Sequence, residues 1–144
     1  METVQDIMSK KVKTSTEDES LINIGKIMKK NDVSTVIIVR GTKPKGIITE
    51  RDMAQKVVAS GLDVREENAR DIMTSPIVTI KPTTNIFYAS DLMGKEKFKK
   101  LPIVEKGKLI GIVTQTDVIR YMREQRKKFV LSNLSATHRK KYPG

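Results

Sequence analysis

Sliding the sequence by 65 residues lays it on itself without a gap. Asp6-Ile7-Met8 falls on Asp71-Ile72-Met73, Thr14 on Thr79, and Ile38-Val39 on Ile103-Val104. Met28 and Lys30 fall on Met93 and Lys95; Gly46-Ile47, Thr49 and Asp52 fall on Gly111-Ile112, Thr114 and Asp117. Conservative pairs sit between them, such as Val12 with Ile77, Ile27 with Leu92, and Ile48 with Val113. Chance does not hold one register over about fifty positions, and two copies are too few for a solenoid, which needs roughly three or more. The chain is therefore expected to fold as a pair of like halves.

Each half reads as the same string of elements. A helical turn starts at Val4 or Ala69, and a short strand follows over Val12–Thr14 or Ile77–Ile80. Leu21, Ile24, Ile27 and Met28 then fall on one face of a helix, as do Ile86, Ala89, Leu92 and Met93. Two short β-branched runs separated by Gly and Lys predict a hairpin: Val36–Val39 with Gly46–Ile48, and Leu101–Val104 with Leu109–Val113. A last helix starts at Glu50 or Gln115. The fold class is α/β (α+β), β-α-β-β-α twice, with boundaries at 1–60 for the first repeat, 61–68 for a linker, 69–122 for the second repeat and 123–144 for a basic extension. A half of this size buries too little surface to be secure, so the two sheets are expected to pack face to face on a joint core. Phe129, Val130, Leu131 and Leu134 extend the last helix in this reading, and His138–Gly144 reads as a disordered tail.

Composition narrows the function classes. The absence of cysteine rules out disulfides, thiolate catalysis and thiolate zinc sites, and fits a cytoplasmic protein. The only histidine, His138, lies in the tail, so neither a Ser-His-Asp set nor a histidine metal site is expected. No apolar run approaches the ~20 residues that span a membrane, and the polar start does not read as a secretory signal. The net charge of +11 is uneven, because residues 120–144 carry eight basic groups and one acid. Met8, Met28, Met73 and Met93 read as core or interface filler.

The strongest local signal is Gly46-Ile47-Ile48-Thr49-Glu50-Arg51-Asp52, repeated as Gly111-Ile112-Val113-Thr114-Gln115-Thr116-Asp117. A strand ends, a hydroxyl follows, and a carboxylate stands three residues later at a helix start. One reading is a capping box, Thr at the N-cap and an acid at N3 satisfying orphan amides. The other is a ligand site: amides and a hydroxyl suit a phosphate, and a carboxylate accepts hydrogen bonds from both hydroxyls of a ribose.

The element order, the Asp-Ile-Met opening and the doubled Gly-apolar-apolar-Thr-x-x-Asp motif resemble CBS domains over residues 4–121. The likeness is to a tandem pair (a Bateman module) in a small stand-alone protein of prokaryotic type. The resemblance implies a pseudo-twofold pair with two clefts that bind AMP, ADP or ATP, or less often S-adenosylmethionine, with no cofactor required and no catalysis. It implies that Asp52 and Asp117 hold a ribose and that Thr49 and Thr114 touch ribose or phosphate. The adenine is expected against the first strand of the same copy, at Val12 and Thr14 or at Ile77 and Thr79. Arg51 and its counterpart Thr116, with Lys99 and Lys100 just before the apolar run Leu101–Val104, are the candidate phosphate neighbours. Because copy one has Ser34 and Thr35 where copy two has these lysines, and Ile37 where it has Pro102, the two sites are expected to differ.

The resemblance also implies a homodimer formed through helices, with Val118, Ile119 and Met122 as candidate contacts, and a separate effector protein. Two alternatives stay open. The basic C-terminal helix suits nucleic acid through its phosphates, and the pair is otherwise a purely structural dimerisation module.

Overall fold

The structure, a computed structural model of the chain, describes residues 2–134. Strand β1 (Thr14–Ser15) leads to helix α1 (Leu21–Asn31), strands β2 (Thr35–Arg40) and β3 (Lys43–Thr49), and a short α2 (Glu50–Asp52). After α3 (Ala69–Ile72) come α4 (Ile86–Glu96), β4 (Lys100–Glu105), β5 (Lys108–Thr114) and the long α5 (Gln115–Ser132). The expected extension of the last helix takes in Phe129, Val130 and Leu131 but stops at Ser132, short of Leu134, and His138–Gly144 lies outside the described residues. Among the described residues no helix is long and apolar enough to cross a membrane.

Both hairpins form with equivalent registers, Ile37 opposite Ile47 and Pro102 opposite Ile112, and both carry a bulge at the same place, after Ile38 and after Ile103. The first strands differ from the sequence reading. β1 is Thr14–Ser15 rather than Val12–Thr14, and it pairs parallel with β2. The predicted strand Ile77–Ile80 shrinks to one parallel bridge between Ile80 and Ile103. The cause is a single residue. In copy one the Ile37 amide donates to the Lys13 carbonyl at 2.9 Å. Its counterpart Pro102 has no N–H, so that bond cannot form and the strand starts later.

Helix α2 also departs from its repeat. It continues as a π-helix over Met53–Val58, where the Ala59 amide bonds to the Ala54 carbonyl, while α5 stays α-helical.

The joint core is corrected to two clusters, because each sheet packs its own helices on one face. Leu21, Ile24, Met28, Val36, Ile38, Ile48 and Val57 form one cluster. Ile86, Ala89, Met93, Leu101, Ile103, Val113 and Val118 form the other. The sheets meet through their remaining faces, where β3 approaches β5 and Ile37 and Ile112 are buried.

Each cluster is completed by the other half's opening segment. Val4 is fully buried in the second cluster, and Ala69 and Ile72 are buried in the first. Burying a valine or isoleucine side chain stabilises by about 1.5–3 kcal/mol, and the Ala69 methyl contributes less. Backbone bonds fix the exchange: Ser9 pairs with Ile112, and Thr74 pairs with Ile47, each with both amides engaged at 2.9–3.1 Å. The crossing explains two glycines of the repeated motif. A Cβ on Gly46 would stand 2.5 Å from Met73 Sδ, and one on Gly111 would stand 2.7 Å from Met8 Sδ. The Asp-Ile-Met opening and the glycine of the motif are therefore two sides of one contact.

Candidate functional site

Thr49 and Thr114 are extended residues at the ends of β3 and β5, and each caps the helix that follows. The Thr49 amide donates to Asp52 Oδ2 at 2.9 Å, and the Asp52 amide donates back to Thr49 Oγ1 at 3.2 Å. Thr114 and Asp117 repeat this at 2.9 and 3.2 Å. The capping-box reading is therefore realised. Thr3 with Asp6, and Asn68 with Asp71, build the same box at the opening of each half. The box alone does not mark a site; its place beside a cleft does.

The exchange of opening segments decides which residues share a cleft. A cleft of about 380 Å³ brings Thr49, Arg51 and Asp52 of copy one together with Ile77, Lys99 and Lys100 of copy two. A second, of about 250 Å³, brings Thr114 and Asp117 of copy two together with Lys11, Val12 and Lys13 of copy one. The expectation that each motif would face its own copy's first strand is thus corrected: Asp52 faces Ile77, and Asp117 faces Val12. Thr14, Thr79 and Thr116 line neither cleft; Thr79 borders a separate hollow beside Val104 and Gly107.

The clefts are not equivalent. The first has an apolar wall of Ile47, Pro76, Ile77, Val78, Phe98 and Pro102. At the positions of Pro76 and Val78 the second carries Lys11 and Lys13. Arg51, Lys97, Lys99 and Lys100 gather around the first cleft, against Glu50 and Asp52. Lys99 thus lines the cleft of the first motif and not that of its own copy, whereas Lys100 lines both. Of the apolar wall, Ile77 was among the expected ligand contacts, whereas Phe98, Pro102 and Val78 carry no motif and were missed, as were Lys11 and Lys13 in the second cleft.

Second partners distinguish the two aspartates. Asp52 Oδ1 lies 3.3 Å from Lys56 Nζ, which also donates to the Ile72 carbonyl at 2.9 Å and to Thr74 Oγ1 at 3.3 Å. Lys56 ties the first carboxylate to the exchanged segment. Tyr121 stands at its counterpart position, and Asp117 pairs instead with Arg120 at 3.5 Å. Both carboxylates are mostly screened, with side chains 14% and 15% exposed, so their charges act in a partly desolvated setting.

Lys100 is half-buried. Its Nζ donates to Ser34 Oγ and Thr35 Oγ1 across the pair. Burial pushes its pKa down, opposed by the Glu50 carboxylate. Among the described residues no group of three or more His, Cys, Asp or Glu side chains is placed to hold a metal ion.

The CBS domain family model matches residues 4–59 and 69–124. An uncharacterized protein of Methanopyrus kandleri, MK0525, is 36% identical over 135 residues, covering 88% of this chain and 69% of that protein. The CBS domain-containing protein YhcV of Bacillus subtilis is 29% identical over 136 residues, covering 94% of this chain and 96% of its own length. Among solved structures, the CBS domain pair of protein MJ0100 in complex with 5′-methylthioadenosine and S-adenosyl-L-methionine superposes with a TM-score of 0.78. It shares 28% identity over 87% of this chain and 98% of that chain. The exchanged openings, the doubled motif and these matches have one reading: the chain belongs to the CBS domain family, as a tandem pair.

Proposed function

We propose that this pair is a ligand-sensing regulatory module that binds an adenine nucleotide, AMP, ADP or ATP, chiefly in the cleft of Thr49 and Asp52. The observation that carries the reading is the composition of that cleft. An apolar wall of Ile47, Ile77, Val78 and Phe98 suits a purine face, and a screened carboxylate at Asp52 suits ribose hydroxyls. Arg51, Lys97, Lys99 and Lys100 suit phosphates. The likeness to a pair solved with adenosine-containing ligands supports the ligand class. The cation excess here favours a phosphorylated adenosine over S-adenosylmethionine, whose sulfonium is positive. Asp52 and Thr49 orient the sugar, the lysines hold the anion, and no residue is assigned a catalytic step. The response passes to a separate effector protein. Titration calorimetry with AMP, ADP, ATP and S-adenosylmethionine tests this. Binding of at least one nucleotide, with the tighter site weakened on Asp52→Ala, is expected; no heat with any of them at millimolar concentration overturns it.

A homodimer fits a second observation. Phe87, Tyr88 and Ile119 on α4 and α5 are 58%, 61% and 50% exposed, an apolar face of the kind that covers itself by association. Of the expected contacts, Val118 is core at 3% exposure and Met122 packs against the same cluster, leaving Ile119 with the α4 aromatics. Light scattering of the purified protein and of Phe87→Glu separates a dimer from a monomer.

A further inference from the structure

We propose that Lys100 is a single cation shared by the two clefts, so that a nucleotide phosphate held in one weakens the uptake of a second nucleotide in the other. The inference rests on the nucleotide reading above and adds a coupling to it.

Among the described residues, Lys100 and Ser34 are the ones that border both clefts. Lys100 opens β4 and Ser34 immediately precedes the equivalent strand β2, and the two are bonded across the halves. Were the pair symmetric, each half would bring its own lysine. Here the counterpart of Lys100 is Thr35, and the Lys100 ammonium donates to the hydroxyls of Ser34 and Thr35. An ammonium has three donors. Two point at these hydroxyls, and one is left for a phosphate from either side.

The other cations cannot replace it. Arg51, Lys97 and Lys99 in the first cleft, and Lys11 and Lys13 in the second, are exposed, whereas Lys100 is half-buried. Exposed charges are screened by water and salt, and buried ones much less. The strongest interaction open to a phosphate is therefore with the one cation that both clefts share. A first phosphate draws the ammonium to its own side and also places negative charge near the second cleft. Both effects oppose the second ligand. Occupancy of one cleft then reports on the other without any change of backbone.

Calorimetric titration with ADP tests the coupling on the full chain. Four proteins are compared: wild type, Asp52→Ala and Asp117→Ala (each leaving one cleft), and Lys100→Thr, which restores the residue of the other half. Coupling between sites is commonly worth about 5- to 150-fold. In wild type the second ADP is expected to bind at least about fivefold more weakly than the same cleft does in the single-cleft variant. In Lys100→Thr the first ADP weakens and that ratio falls to within about twofold. Lys100→Gln, closer in length, serves if Lys100→Thr fails to fold. A ratio unchanged by either substitution overturns the proposal, as does wild-type binding at both clefts with their single-cleft affinities. One ADP bound by wild type and none by Asp52→Ala overturns it too, since the second cleft would then not be a nucleotide site. Absence of ADP binding to every protein overturns the nucleotide reading itself, an outcome distinct from binding without coupling.

Discussion

The backbone oxygen of Ser9 lies 2.9 Å from where a Cβ on Gly111 would stand. Ser9 belongs to the first half and Gly111 to the second, and their segments are locked by the paired bonds between Ser9 and Ile112. A side chain at Gly111 would have to displace main chain. At Gly46 the nearest atoms are the flexible Met73 Sδ and Cγ, at 2.5 and 2.8 Å.

Gly111→Ala is therefore expected to destabilise the fold more than Gly46→Ala. Overpacking of a filled site costs about 1–3 kcal/mol, and Met73 can swing aside where the Ser9 carbonyl cannot. Urea unfolding of both variants checks the order. Equal losses would show that the exchanged segment of the first half is as yielding as a methionine side chain.

Four capping boxes separate the two roles of the repeated Thr-x-x-Asp. Asp6→Ala and Asp71→Ala remove boxes that border neither cleft, and each is expected to cost about 1 kcal/mol of stability without touching nucleotide affinity. Asp52→Ala is expected to lower both. Nucleotide affinity that falls equally in Asp6→Ala would mean that the motif acts through the fold alone.

How much of this the sequence shows depends on the kind of contact. The doubled motif, the hairpins and the helix faces follow from local pattern, and they were legible. The length of the second half's first strand was not, because it turns on one missing amide at Pro102. The pairing of Asp52 with Ile77, rather than with Val12, was not legible either. It follows from the exchange of Val4–Ser9 and Ala69–Thr74 between halves, which no local pattern encodes. The same exchange puts Lys56 between Asp52 and Thr74.

Between the two sites, Asp52→Ala is expected to weaken the tighter one more than Asp117→Ala does. The first cleft has Arg51 where the second motif has Thr116, and it also has the apolar wall that Lys11 and Lys13 replace in the second. Loss of hydrogen bonds to a charged acceptor costs about 1.5–3 kcal/mol, roughly ten- to hundredfold in affinity. Titrating both variants with one nucleotide at one salt concentration decides it. A larger loss in Asp117→Ala would place the tighter site in the second cleft.

Removing residues 123–144 is expected to leave nucleotide affinity nearly unchanged, since among the described residues the lining of both clefts ends at Asp117. Tyr121 and Met122, which pack on the second cluster, are kept. Lost binding in a truncated protein that keeps its cooperative unfolding would put the C-terminal helix in the site.

Lys100 gives a pH dependence with a definite sign. Burial lowers its pKa in the folded chain, so the unfolded state holds this proton more tightly. The cost of burying the charge is present at neutral pH and is relieved as pH rises through the lowered value toward the ordinary 10.5. Lys100→Met is thus expected to unfold at a higher temperature than wild type at neutral pH, with the gap narrowing in alkali. A gap that widens with pH would mean that the bonds to Ser34 and Thr35 outweigh the cost of burial.

The most direct test of nucleotide sensing is native mass spectrometry of the intact protein with AMP, ADP, ATP and S-adenosylmethionine, beside the double variant Asp52→Ala/Asp117→Ala. The expected result is one or two nucleotides per chain in wild type, phosphorylated adenosines ahead of S-adenosylmethionine, and none in the double variant. Nucleotide adducts that survive loss of both aspartates, or no adduct in wild type at millimolar nucleotide, would contradict it.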